Sequence, residues 1–151
     1  MAENMFQQML NEQRTLEAKI GELENSINVF QETLGSYMAG LGVLEELKTR
    51  QPGETMLINI GGAIFIEAQV VNNERVIRGI GSGIRTEQSL EDAQKIVSER
   101  VTELNKFLGN LRQEYEETTN RAAILANQAQ QILAQAQMTQ AQAAQQTKPE
   151  E

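Results

Sequence analysis

Three alternating glycines, Gly79, Gly81 and Gly83, are the residues of this chain best suited to cradling a phosphate. Two pairs of adjacent acids, Glu45-Glu46 and Glu116-Glu117, are the ones that could share a proton. Neither arrangement carries its chemistry through. A dinucleotide loop needs a further glycine opening a helix inside a βαβ unit, whereas Gly83 is followed by the strand-like Ile84-Arg85-Thr86. The glycines read as a hairpin turn, and each acid pair as the solvated face of a helix. There is no Cys and no His, which removes thiolate chemistry and the commonest metal ligands. With no P-loop lysine and no nucleophile elbow, the chain is predicted to be no enzyme and to need no cofactor or metal.

The elements around these residues are of another kind. The formal net charge is −8, from 13 basic and 21 acidic residues among 151. The bases are scattered, so no basic face is available for nucleic acid, which is bound through clustered Lys and Arg. Met1 to Leu10 lacks a basic start and an apolar run and does not read as a secretory signal. Met56 to Ile66 is far short of the ~20 apolar residues that span a bilayer. A soluble, cytoplasmic protein with no membrane partner is expected.

The organising stretch is Glu54 to Gln88, within a segment 51–88. Apolar residues alternate along Met56, Ile58 and Ile60, and again along Ile64, Ile66, Ala68 and Val70. Short runs of this kind, broken by Gly and Asn, predict four strands in two hairpins. Gly61-Gly62 is placed at the first turn, Asn72-Asn73 at the connection, and Gly81-Ser82-Gly83 at the last turn. Isolated hairpins are marginal in water. The segment therefore reads as an assembly module, with Leu57, Ile58, Ile60, Ile64, Phe65, Ile66, Val76, Ile77, Ile80 and Ile84 as its interface.

Residues 1–50 carry a heptad pattern. One seam position runs Phe6, Gln13, Ile20, Ile27, Leu34, Leu41 and Lys48; the other runs Met9, Leu16, Leu23, Phe30, Tyr37 and Leu44. This narrow stripe predicts a coiled-coil helix, about 70 Å long at ~1.5 Å per residue. Gly21, Gly35, Gly40 and Gly42 lie off the seam, each costing about 1 kcal/mol against Ala. Gln51-Pro52-Gly53 stops the helix.

Residues 89–136 form the second arm. Ser89 reads as its cap, with Glu91 and Asp92 in the first turn. The seam follows as Val97, Val101, Leu104, Leu108, Leu111 and Tyr115, then shrinks past Thr118 to Ala122, Leu125, Ala129, Ile132 and Ala136. Matched arms fold back as an antiparallel pair, and Arg50 opposite Ser89 sets Phe6 near Leu133. Residues 137–151 read as a flexible Ala/Gln-rich tail, with helix ending near 135 and Thr147 to Glu151 disordered. The fold class is thus mainly α with a small β module, a long antiparallel two-helix coiled coil joined by two hairpins.

This layout resembles the α class of the prefoldin family. The resemblance is carried by Met56-Leu57-Ile58-Asn59-Ile60-Gly61, by Ile80-Gly81-Ser82-Gly83-Ile84, and by Glu87-Gln88-Ser89-Leu90-Glu91-Asp92-Ala93. It covers roughly residues 5–135, and its four strands match the α class; the β class has one hairpin. Asn59 departs from the family pattern, which commonly has Pro there, and so does the long Ala/Gln tail.

The resemblance implies an ATP-independent co-chaperone of the archaeal type. Two α and four β subunits would pool their hairpins into a β-barrel platform. Coiled-coil tips would hold non-native proteins and pass them to a group II chaperonin. On this chain the tip comprises Met5, Phe6, Met9 and Leu10 from one arm with Leu125, Ile132, Leu133 and Met138 from the other. The alternative function is a self-assembling, prefoldin-like scaffold or filament subunit, because unpaired strand edges recruit copies of themselves.

Overall fold

The computed structural model describes residues 2–146, with side chains described for residues 4–143. The elements run α1 (Ala2–Thr49), β1 (Thr55–Gly61), β2 (Ile64–Gln69), β3 (Arg75–Gly81), β4 (Ile84–Ser89) and α2 (Leu90–Gln146). The fold is the two-helix, two-hairpin arrangement expected from the sequence. It divides into two compact units.

One unit joins residues 1–28 to residues 109–151. Here low numbers on α1 meet high numbers on α2, so the helices are antiparallel. Lys19 Nζ lies 2.6 Å from Glu114, the Tyr115 hydroxyl donates to Glu24 at 2.8 Å, and Arg121 pairs with Glu12. Of these three contacts Glu24–Tyr115 has the spacing expected from the sequence, while Lys19–Glu114 and Glu12–Arg121 are displaced from it by 139 − 133 = 6 residues. These ion pairs are exposed and contribute at most about 1 kcal/mol each. The carboxylate of Glu24 also pushes the Tyr115 phenol pKa upward, because its hydrogen bond holds the proton on the ring oxygen.

Stability of this unit comes from its seam. Leu23 and Ala129 are buried, and so is Thr118. Thr118 fills the seam position between Tyr115 and Ala122, where the apolar pattern has a gap. Its hydroxyl donates to the Glu114 carbonyl at 2.7 Å, so the buried polar group is satisfied by its own helix. Past residue 135, where the sequence pointed to fraying, α2 continues to Gln146. Ala and Gln are strong helix formers, and backbone propensity carries the helix on where the seam has run out. Thr147 to Glu151, expected to be disordered, lie outside the described residues.

The other unit spans residues 29–108. It holds the rest of both helices and both hairpins. Phe30 and Phe107 meet edge to face, with ring centroids 4.7 Å apart. Leu104 and Leu108 are the seam's most deeply buried large residues, 3% and 2% exposed. Leu90 and Ala93 are buried as well, so the seam of α2 begins at its first residue. Ser89 caps the helix as expected, its Oγ accepting the Asp92 N–H at 3.1 Å. The end of α1 is latched from a distance, for Asn73 Nδ2 donates to the Arg50 carbonyl at 2.7 Å.

β1 pairs with β2 and β3 with β4, both antiparallel. The second ladder repeats the first twenty residues later: Thr55↔Gln69 becomes Arg75↔Ser89, and Asn59↔Phe65 becomes Gly79↔Arg85. Even the closing hydrogen bonds correspond, Val70 N–H to Glu54 O at 2.8 Å and Leu90 N–H to Glu74 O at 2.7 Å. Few identities mark this duplication in the sequence, chiefly Ile60/Ile80, Gly61/Gly81, Ile64/Ile84 and Glu67/Glu87.

Each hairpin closes on two residues with positive φ, Gly62-Ala63 and Ser82-Gly83, after a glycine bulge at Gly61 or Gly81. The first turn therefore sits one residue later than Gly61-Gly62. The bulge takes Gly61, whose φ of 103° suits glycine. Asn59 supports it, its side-chain oxygen accepting the Gly61 N–H at 2.8 Å. Ala63, at φ 58°, is the strained member of its turn, since a Cβ in left-handed geometry costs roughly 1–2 kcal/mol. Ala63→Gly should stabilise the first hairpin by about 1 kcal/mol, measured as slower amide exchange across β1 and β2. Unchanged exchange would refute the strain.

Candidate functional site

The candidate surfaces follow from which faces the chain leaves uncovered. In the hairpins, alternation separates two faces. One carries Met56, Ile58, Ile66 and Ala68, and in the second hairpin Val76, Arg78, Thr86 and Gln88. Met56 is buried and most of the others are half-buried. The opposite face carries Leu57, Phe65 and Glu67, with Ile77, Arg85 and Glu87 in the second hairpin, and all of these are exposed.

The residues expected to mediate assembly come from both faces. Leu57, Ile60, Ile64, Phe65, Ile66, Ile77, Ile80 and Ile84 are exposed, with Ile77 at 73%. Ile58 and Val76 are half-buried within the chain. Two-stranded sheets also leave both outer strand edges unpaired here. Exposed β-branched side chains beside free backbone donors and acceptors are what a strand-pairing surface requires. Val71, between the hairpins, is 87% exposed although its neighbour Val70 is buried.

The residues expected at the tip also fall into two groups. Phe6, Met9, Leu125 and Ile132 are half-buried seam residues and Leu10 is half-buried beside the seam, while Met5, Leu133 and Met138 are exposed. Leu133 adjoins the seam residue Ile132, and helical geometry turns it about 100° away.

No described group of three or more Asp, Glu, His or Cys could hold a metal ion. No described helix is long and apolar enough to cross a membrane. Gly79, Gly81 and Gly83 lie in and beside the second turn, with strand on both sides.

Comparison with known proteins decides the family. The family model for prefoldin subunits matches residues 16–148. The chain belongs to the prefoldin family. Among its relatives, prefoldin subunit alpha of Methanocorpusculum labreanum is 28% identical over 145 residues, covering 86% of this chain and 99% of the relative. Prefoldin subunit alpha of Methanobrevibacter smithii is 24% identical, covering 87% and 90%. A chain in the cryo-EM structure of filamentous PFD from Methanocaldococcus jannaschii superposes with a TM-score of 0.59 at 25% identity. That match covers 78% of this chain and 98% of the other.

Proposed function

We infer that this prefoldin chain is an α-type subunit of an ATP-independent co-chaperone. Its hairpins join those of β-class subunits, two α with four β, in a β-barrel platform. Its coiled-coil end captures non-native proteins for transfer to a group II chaperonin in the cytoplasm. Family membership supports the co-chaperone role. The observation that carries the assembly is the exposed apolar set Leu57, Ile60, Ile64, Phe65, Ile77, Ile80 and Ile84, spread over both hairpins. Exposed apolar surface of this kind marks an interaction site.

Client capture rests on Met5, Leu133 and Met138, exposed and apolar, with Met adapting to irregular surfaces. Phe6, Met9, Leu10, Leu125 and Ile132 would add to the grip where the seam opens. One tip binds weakly; several tips on one client raise avidity without nucleotide. The test mixes the chain with a β-class subunit and measures suppression of aggregation of a denatured protein. Protection is expected from the complex. Met5→Ser, Leu133→Ser and Met138→Ser combined should lower it several-fold while the complex keeps its mass. Absence of protection by the assembled wild-type complex would refute the role.

A second reading, a self-assembling scaffold, is favoured by one observation, the likeness to a chain of a filamentous PFD structure. Long polymers formed by the chain alone would support it over the hetero-hexamer.

A further inference from the structure

The far end of α2 differs in chemistry from the rest of the chain. The net charge is −8, yet no charged residue stands between Arg121 and Lys148. On that stretch Ile124, Gln128, Gln131, Gln135, Met138 and Gln142 recur in steps of four and three, which gathers them on one face of the helix. This face lies about 120° around α2 from the seam of Ala122, Leu125, Ala129, Ile132 and Ala136. All six residues are exposed, Ile124 at 59% and Met138 at 66%.

Elsewhere on the helices a glutamine amide is held by an acid one turn further on. Gln13 donates to Glu17 at 3.0 Å, and Gln113 to Glu117 at 2.9 Å. Past Arg121 no acid is at hand. The side-chain amides of Gln128, Gln131, Gln135 and Gln142 have no hydrogen-bond partner among the described residues. Each offers donors and an acceptor, the same complement as a peptide group. A native protein has nearly all its buried backbone groups paired already. A non-native chain exposes unpaired ones, whatever its side chains and net charge. An uncharged amide face suits that ligand, because it repels clients of neither sign.

We propose that the face of α2 from Ile124 to Gln142 binds extended, non-native polypeptide through its backbone. The amides of Gln128, Gln131, Gln135 and Gln142 pair with peptide groups, and Ile124 and Met138 cover apolar side chains. This rests on the client-capture reading, and it adds what the arm recognises: unpaired peptide groups as well as apolar side chains. With no ion pair in the contact, salt screening leaves the binding nearly unchanged.

The test uses the full-length chain and a fluorescent, uncharged, unstructured peptide, with binding read by anisotropy. A twin peptide, N-methylated at alternate residues, keeps the side chains and loses half the backbone donors. Wild-type chain should bind the twin about tenfold more weakly, since several neutral hydrogen bonds of modest worth are lost together. Replacing all four glutamines by Met keeps size and helix propensity and removes the amides. That variant should also bind the unmethylated peptide about tenfold more weakly, with circular dichroism confirming its helicity. A tip that recognised apolar groups alone would bind more tightly after the change to Met. The proposal is overturned if the wild-type chain does not bind the peptide, if the twin binds equally well, or if the Met variant binds as tightly or more so. The co-chaperone reading fails separately, if the assembled complex gives a denatured protein no protection.

Discussion

Ile64→Asp combined with Ile66→Asp should abolish subunit assembly and leave far-UV helicity essentially unchanged. The two isoleucines are 58% and 44% exposed, so roughly half of each side chain is still available for burial by another subunit. A fully buried Ile is worth about 1.5–3 kcal/mol, so the pair at half burial gives about 1.5–3 kcal/mol. An unpaired carboxylate forced into the same interface costs several kcal/mol more. Together these weaken association roughly a thousandfold or more, at about 1.4 kcal/mol per tenfold. The helices should survive, because their seams lie elsewhere and α2 has its own cap at Ser89. Native mass measurement of the mixture with β-class subunits reads the outcome. A double variant that assembled at wild-type concentration would place the interface off the hairpins.

Leu108→Ala should be the most damaging single truncation in the unit of residues 29–108. Leu108 is 2% exposed, and removing a buried Leu side chain typically costs 2–5 kcal/mol, about as much from the cavity as from lost transfer energy. Phe107, its neighbour in sequence, is 44% exposed. Phe107→Leu should lose chiefly the edge-to-face contact with Phe30, roughly 0.5–1.5 kcal/mol. Thermal melting of the chain at one fixed concentration should lower Tm by about 5–15 °C for Leu108→Ala. The concentration must be fixed because association stabilises the folded chain. If the two variants melted together, the ranking by burial would be wrong.

The helices were legible because a coiled-coil seam is written in local spacing. Leu23, Leu104 and Leu108, all named from the heptad pattern, are buried. Ser89 could be read as a cap because capping needs only the next three residues. The two hairpins were legible as well, since alternation with period two is equally local. Thr118, absent from the apolar seam, is buried nonetheless, its hydroxyl bonded within the helix. The extension of α2 to Gln146 was missed because weak Ala packing was weighed above strong helix propensity.

For the hairpins, sequence alone determined which residues are apolar and that they alternate; tertiary structure decided which of them remain uncovered. Leu57 and Met56 are adjacent apolar residues, but one is exposed and the other buried. A strand's two faces look alike in sequence until the fold covers one of them. The same limit hid the duplication. A shared ladder and shared turn geometry persist through backbone hydrogen bonds, which do not depend on side-chain identity. Phe65 and Arg85 could therefore diverge in chemistry while keeping one structural position.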